Sequence, residues 1–242
     1  MMENSMTGSP DNERSAFLRW LDEWISSLPK QEIADGQNVA IMVVDMVNGF
    51  CKTGNLASDR IGALIEPIKQ SLSDAYSVGV RRFIVVEDTH KQDDREFSAF
   101  PPHCVKGSGE EETVEEIKSL PFSSEFIYID KPTLSPAIGT GIDAQITKFI
   151  NEGVSTFVIM GDCTDLCVYQ SSVFLRLFAN YLHERQVDVI VPANLVDTYD
   201  IRVEDALKIG ALPHPGDLMH QLFLYHIALV GCKVVSTVTW GK

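Results

Sequence analysis

The sequence predicts an α/β fold: one domain in which a doubly wound, mainly parallel six-stranded sheet is flanked by helices in three layers. Three observations lead there. Six short, β-branched, almost wholly apolar runs recur along the chain, as strands buried on both faces require. Helix-period segments separate them, and strict β-α alternation implies right-handed crossovers onto both faces of one sheet. The length of 242 residues, without internal repeat or low-complexity linker, suits a single core.

The elements follow in order. Residues 1 to about 12 are polar and expected to fray. Phe17, Leu21, Trp24 and Leu28 then recur at helical spacing, which makes an amphipathic helix stopped by Pro29. It can pack on its own domain or on a partner subunit, the former being the commoner outcome. Residues 1–35 are thus read as an N-terminal extension and 36–242 as the main domain. The strands are VAIMVVD, RRFIVVED, EFIYID, TFVIMGD, VDVIVP and CKVVSTV. Helices are expected over 61–78, 141–151, 165–183, 201–209 and 216–230, with Pro67 at a helix start or kink. The longest irregular stretch, from about Lys91 to Glu112, exceeds an ordinary connection, and such loops are functional or disordered.

Composition narrows the function classes. Twenty Lys and Arg against thirty-four Asp and Glu leave a formal charge of -14, which repels phosphate backbones and anionic lipid. No apolar run reaches the roughly 18 residues of a membrane helix. The opening residues lack a secretory pattern, so neither nucleic acid nor membrane is an expected partner and a cytoplasmic location is. Five cysteines, an odd number in a chain of this size, are expected as reduced thiols.

In open parallel sheets ligands bind beyond the carboxyl ends of the strands. Four successive ends carry reactive side chains: Asp45; Asp88-Thr89-His90; Asp130-Lys131; and Gly161-Asp162 ahead of Cys163 and Cys167. In GDCTDLCVYQ, Thr164 or Asp165 occupies the place of an N-cap and Cys167 falls in the first helical turn. There the helix dipole is expected to lower the thiol pKa, and exposed amides can receive an oxyanion. A disulfide, a metal pair or plain packing are the other readings of Cys163 and Cys167. No second cysteine pair completes a four-cysteine zinc site. Asp88 and His90, two apart on an extended strand end, point the same way.

The segments VVDMVNGF, DTHKQDD, FPPHCVKGS, DKPTLS and GDCTDLCV, in this order, resemble the signature segments of nicotinamidases in the isochorismatase-like hydrolase superfamily, over most of residues 39–238. NGFCKTGNLAS and HPGDLMHQLFLYHIALVGCKVVS resemble the plant type. The resemblance implies a Rossmann-like three-layer domain with Asp45, Lys131 and Cys167 as catalytic triad. It also implies an oxyanion hole of Cys163 and Cys167 N–H groups, reached through a non-proline cis peptide between Asp162 and Cys163. Asp88, His90 and His103 would hold one divalent ion, zinc being favoured and iron or manganese compatible. Phe50 and Phe100 match positions of ring-stacking aromatics. Thr89 departs from a common family form, which has Trp between the two ligands, and leaves substrate breadth open.

The activity so implied is hydrolysis of nicotinamide to nicotinate and ammonia by a homo-oligomeric enzyme. A related cysteine amidohydrolase acting on a carbamoyl or other acyclic amide is the nearest alternative, and a non-catalytic binding scaffold the alternative from another class. His214, His220 and His226 are read as structural, and the acidic stretch KQDDREF as a solvated loop whose aspartates lie close enough to influence metal affinity.

Overall fold

The computed structural model, which describes residues 10–182 and 186–241, lays the apolar runs side by side. The strands are β1 (Lys30–Ile33), β2 (Val39–Val44), β3 (Arg82–Asp88), β4 (Phe126–Lys131), β5 (Thr156–Asp162), β6 (Asp188–Pro192), β7 (Val196–Asp197), β8 (Lys233–Val235) and β9 (Thr237–Trp240). The helices are α1 (Pro10–Ser26), α2 (Asn48–Cys51), α3 (Asp59–Gly62), α4 (Ile65–Ser77), α5 (Glu115–Lys118), α6 (Ile142–Asn151), α7 (Cys167–Leu182), α8 (Val203–Ile209) and α9 (Gly216–Leu229). Residue 183, the expected end of α7, lies outside the described residues, as do residues 1–9. Pro10 to Asn12 open α1 rather than fray.

The main sheet runs β4-β3-β2-β5-β6-β8, and β7 pairs with the end of β5. It has seven strands rather than six, the extra one only two residues long and invisible to periodicity, and every pairing in it is parallel. One apolar cluster, with Ile41, Val43, Ile68 and Leu72, fills the α4 face. The other, with Met42, Ile84, Ile146 and Leu175, fills the face covered by α6, α7 and α9. Helices on both faces make the three layers.

The run CKVVSTV is two strands. It breaks at Ser236, whose N–H donates to the Pro29 carbonyl at 2.8 Å and whose carbonyl accepts from Asn194 N–H. β8 stays in the main sheet, whereas β9 pairs in parallel with β1 in a separate two-stranded sheet, Lys30 opposite Thr237 through Ile33 opposite Trp240. β1 is polar and mostly outward-facing, so it carries little strand signal of its own. Nearby, α1 lays Phe17, Trp20 and Trp24 around Tyr225 of α9, ring centroids 5.4 to 6.0 Å apart. Its apolar stripe is therefore satisfied within the chain.

The long stretch after β3 is ordered by its own polar groups. His90 bridges to Val105 and Val47 to Thr113, and the Glu110 carboxylate accepts the Cys104 N–H at 3.0 Å. Among the described residues no helix is long and apolar enough to cross a membrane.

Candidate active site

The chain reverses its direction across the sheet between β2 and β5, which leaves a crevice beyond their carboxyl ends. Both strands are shaped for it. A Cβ on Gly161 would lie 2.0 Å from the Val44 carbonyl oxygen, so only glycine permits this approach. Asp45, directly after β2, has φ 54°, sparsely populated by non-glycine residues and found where a site holds a side chain in a required direction.

Lys131 is drawn into the same place by register. It pairs with Asp88 across β3 and β4, and its Nζ lies 2.5 Å from Asp88 Oδ1 and 3.0 Å from Asp45 Oδ2. Lys131 and Asp45 are both 0% exposed. Burial alone would strip the Lys131 charge, but Asp45, Cys167 and Asp88 outweigh it and hold the ammonium well above its ordinary pKa. Asp88 is held well below the carboxylate range: burial opposes ionisation, while Lys131, His103 and His90 overcome it. Asp45 goes the other way. Burial lifts its carboxyl to about 6, only partly offset by Lys131, and among the described residues neither of its oxygens receives a well-directed hydrogen bond. An under-satisfied carboxylate of raised basicity beside a thiol is equipped to take that thiol's proton.

Cys167 is the first residue of α7 and is buried. The expectation of a thiol acidified by the helix dipole is not met. Burial pushes its pKa well above normal, with Asp45 and Asp88 adding to this and Lys131 opposing it. The resting group is a protonated thiol with a base beside it. The expected caps also differ: Thr164 Oγ1 pairs with His220 Nδ1 at 2.8 Å, and the Asp165 carboxylate pairs with Thr198 and His214. The peptide between Asp162 and Cys163 is cis. Leu166 and Val168 N–H groups both donate to the Cys163 carbonyl and Thr164 N–H to Asp197. Among the described residues, neither the Cys163 nor the Cys167 N–H donates a backbone hydrogen bond outside the regular elements, as an oxyanion site requires.

Asp88, His90 and His103 meet as one buried group whose ligand atoms all lie within 4.8 Å of one another. The Nε2 atoms of His90 and His103 stand 3.0 and 3.1 Å from Asp88 Oδ2. Their Nδ1 atoms are turned outward, His90 to Asp94 Oδ2 at 3.1 Å and His103 to the Pro101 carbonyl at 2.8 Å. An outer acceptor on Nδ1 is the usual support of an imidazole that binds a metal through Nε2. Glu96 Oε1 is buried, has no hydrogen-bond partner among the described residues and lies 4.0 Å from His90 Nε2. The stretch KQDDREF is therefore not simply solvated. Asp94 and Glu96 turn inward; the sequence allows the aspartates an influence on a metal but misses Glu96, whose direction is set by a helical turn over Arg95–Ser98. Three convergent donors and an orphaned carboxylate oxygen fit a divalent cation.

Phe50 and Phe100 both lie against His103, ring centroids 5.6 and 6.2 Å away. Phe97, which the sequence did not single out, touches both His90 and His103. Asp162, which the sequence marks only as part of a reactive strand end, is 0% exposed, and among the described residues neither of its carboxyl oxygens has a partner. Burial first, then the negative charge of Asp45, holds it protonated well above its ordinary pKa.

Known proteins resemble this chain in sequence and in fold. Nicotinamidase 1 of Arabidopsis thaliana is 29% identical over 214 residues, covering 84% of this chain and 87% of that protein. Among solved structures, pyrazinamidase/nicotinamidase from Streptococcus mutans UA159 superposes with a TM-score of 0.64 at 20% identity, over 81% of this chain and 99% of that one. N-carbamoylsarcosine amidase from Thermoplasma acidophilum does so at 0.58 and 24%, over 82% and 95%. At such identities these two structures speak for the fold alone. The isochorismatase domain model matches residues 39–211, a span that runs from β2 through α8 and takes in every strand end described above, and the chain belongs to the isochorismatase domain family.

Proposed function

We propose that this chain hydrolyses nicotinamide to nicotinate and ammonia, with Cys167 as nucleophile. The observation that carries the reading is the single buried Lys131, whose ammonium joins the Asp45 and Cys167 pair to Asp88 and hence to the Asp88, His90 and His103 group. The proposed base and the proposed ring-holding group thus share one ammonium, 3.0 Å from Asp45 and 2.5 Å from Asp88.

Asp45 takes the Cys167 proton as Sγ attacks the carboxamide carbon, and the carbonyl oxygen becomes an oxyanion received by the N–H groups of Cys163 and Cys167. The oxyanion collapses, the C–N bond breaks, and Asp45 returns the proton to the leaving nitrogen, which departs as ammonia. Asp45 then takes a proton from water as it attacks the thioester, and Cys167 leaves as the restored thiol. Lys131 keeps its charge throughout and offsets the negative charge that moves among Asp45, Sγ and the oxyanion.

Asp88, His90 and His103, with Glu96 beside them, would hold a divalent ion, which when bound supplies a Lewis-acid contact for the pyridine nitrogen. Zinc is the favoured ion, and iron and manganese suit the same donors. Phe50, Phe97 and Phe100 offer flat contacts to the ring. Acyclic amides have no ring nitrogen to use such a group, which sets nicotinamide above a carbamoyl substrate. All five cysteines are free thiols, which suits work in a reducing compartment such as the cytoplasm.

The test is ammonia release from nicotinamide beside a panel of acyclic amides, with and without a chelator. Preferential, chelator-sensitive release from nicotinamide is expected. Equal or better release from an acyclic amide, indifferent to chelator, would assign the chain to the other amidases of its family.

A further inference from the structure

The three histidines of the C-terminal region, which the sequence marks as structural, all reach into the segment that carries the nucleophile. His220 Nδ1 meets Thr164 Oγ1 at 2.8 Å, His214 Nε2 meets Asp165 Oδ2 at 2.7 Å, and His226 Nδ1 meets the Tyr169 hydroxyl at 3.1 Å. The His214 contact differs from the other two in its chemistry.

Asp165 and His214 are both buried. The second Asp165 oxygen accepts from Thr198 Oγ1 at 2.5 Å. The second His214 nitrogen, Nδ1, faces the Tyr199 carbonyl at 2.8 Å, and the Tyr199 ring stacks on the imidazole with centroids 3.8 Å apart at 14°. The His214 backbone is itself clamped by a reciprocal pair of hydrogen bonds with Ile201, each 2.8 Å. A carbonyl oxygen has no proton to give, and neither does a carboxylate. An imidazole between two such acceptors is satisfied only if both nitrogens carry protons. The contact is therefore a buried imidazolium-carboxylate hydrogen bond, of the charge-assisted and more strongly directing kind.

What this bond holds is a four-residue link. Between the end of β5 and the start of α7 lie only Cys163 to Leu166, and the two N–H groups assigned to the oxyanion stand at Cys163 and Cys167. Asp165 sits midway between them. A shift of Asp165 moves both donors, whereas the ring-holding residues Phe50, Phe100, His90 and His103 are set by other parts of the chain.

We propose that His214, acting through Asp165, is a positioning residue for amide hydrolysis: it fixes the 163–167 link so that the Cys163 and Cys167 N–H groups remain aimed at the oxyanion. It touches no reacting atom. The inference rests on the nicotinamidase reading above, and its effect belongs to the tetrahedral state rather than to ground-state binding.

The experiment compares wild type with His214→Ala, His214→Gln and Thr198→Val. Gln keeps one donor toward Asp165, and Val removes the other donor to that carboxylate with little change in shape, so a folding failure of the Ala variant does not end the test. Steady-state ammonia release from nicotinamide is measured beside the affinity for pyridine-3-carbaldehyde, whose adduct with Cys167 places an oxygen where the oxyanion forms. In His214→Ala, kcat should fall by about 10²-fold, the scale of one lost oxyanion donor, with KM changed less than about 2-fold. Aldehyde affinity should fall in parallel with kcat, and the Gln and Val variants should lie between Ala and wild type. Folded variants with wild-type kcat, or a loss confined to KM, or unchanged aldehyde affinity, would overturn the positioning role. Wild-type protein that releases no ammonia from nicotinamide would instead overturn the nicotinamidase reading, and this role with it.

Discussion

Asp88 Oδ1 receives the Lys131 ammonium at 2.5 Å while its other oxygen stands 3.0 Å from His90 and 3.1 Å from His103. One carboxylate thus faces both the proposed catalytic lysine and the proposed metal ligands. Changes on either side should be felt on the other, and the strand register that pairs Asp88 with Lys131 is what makes this so.

Replacing Lys131 by Met leaves Asp45 and Asp88 buried without their counter-charge. Removing one partner of a buried ion pair costs about 3–5 kcal/mol, and denaturant unfolding should register a loss on that scale together with loss of turnover. Adding Asp45→Asn should restore part of the stability and none of the activity. A purely additive double variant would show that the two groups are not coupled.

Cys167→Ala should abolish ammonia release while calorimetry still detects nicotinamide binding and the unfolding midpoint changes little. Residual turnover within about 10-fold of wild type would exclude a thioester route, since loss of an essential nucleophile costs several orders of magnitude.

Dialysis against a chelator should raise the KM for nicotinamide, and re-addition of a divalent ion should reverse it. Elemental analysis should find about one ion per chain. His103→Ala should lose the ion, and Glu96→Gln should weaken its retention if the orphaned Glu96 oxygen completes the group. Full metal content in His103→Ala would remove that residue from the site.

Asp162 supplies a pH test with a definite sign. Its folded pKa is raised well above 3.8 by burial, so the folded chain keeps a proton that the unfolded chain releases. Above pH 3.8 this destabilises the fold increasingly until the folded pKa is reached. Asp162→Asn, uncharged and similar in size, should therefore raise the melting temperature at pH 7, and the gain should shrink as pH falls toward 3.8. A pH-independent difference would show that Asp162 is not held protonated.

Much of this molecule is determined locally. Buried strands are legible as apolar runs, the residues after them are legible as strand ends, and Asp45, Asp88, His90 and Cys167 stand out because topology sends all such ends to one crevice, whereas Lys131 is unremarkable without the family resemblance. Local pattern does not say which distant groups meet. β1 carries almost no strand signal and exists through its pairing with β9, while CKVVSTV divides because Ser236 is held by Pro29 and Asn194. Glu96 looks like a solvent-facing acid until the loop turns it toward His90. The Cys167 thiol is the clearest case. Its place at a helix start, read alone, implies an acidified thiol, but burial and two nearby carboxylates, terms set only by tertiary packing, leave it protonated with Asp45 beside it. The sequence by itself determined the sheet and the residue types at its ends. Tertiary structure decided their charge states and partners, because desolvation and Coulomb interactions depend on what is near in space rather than in sequence.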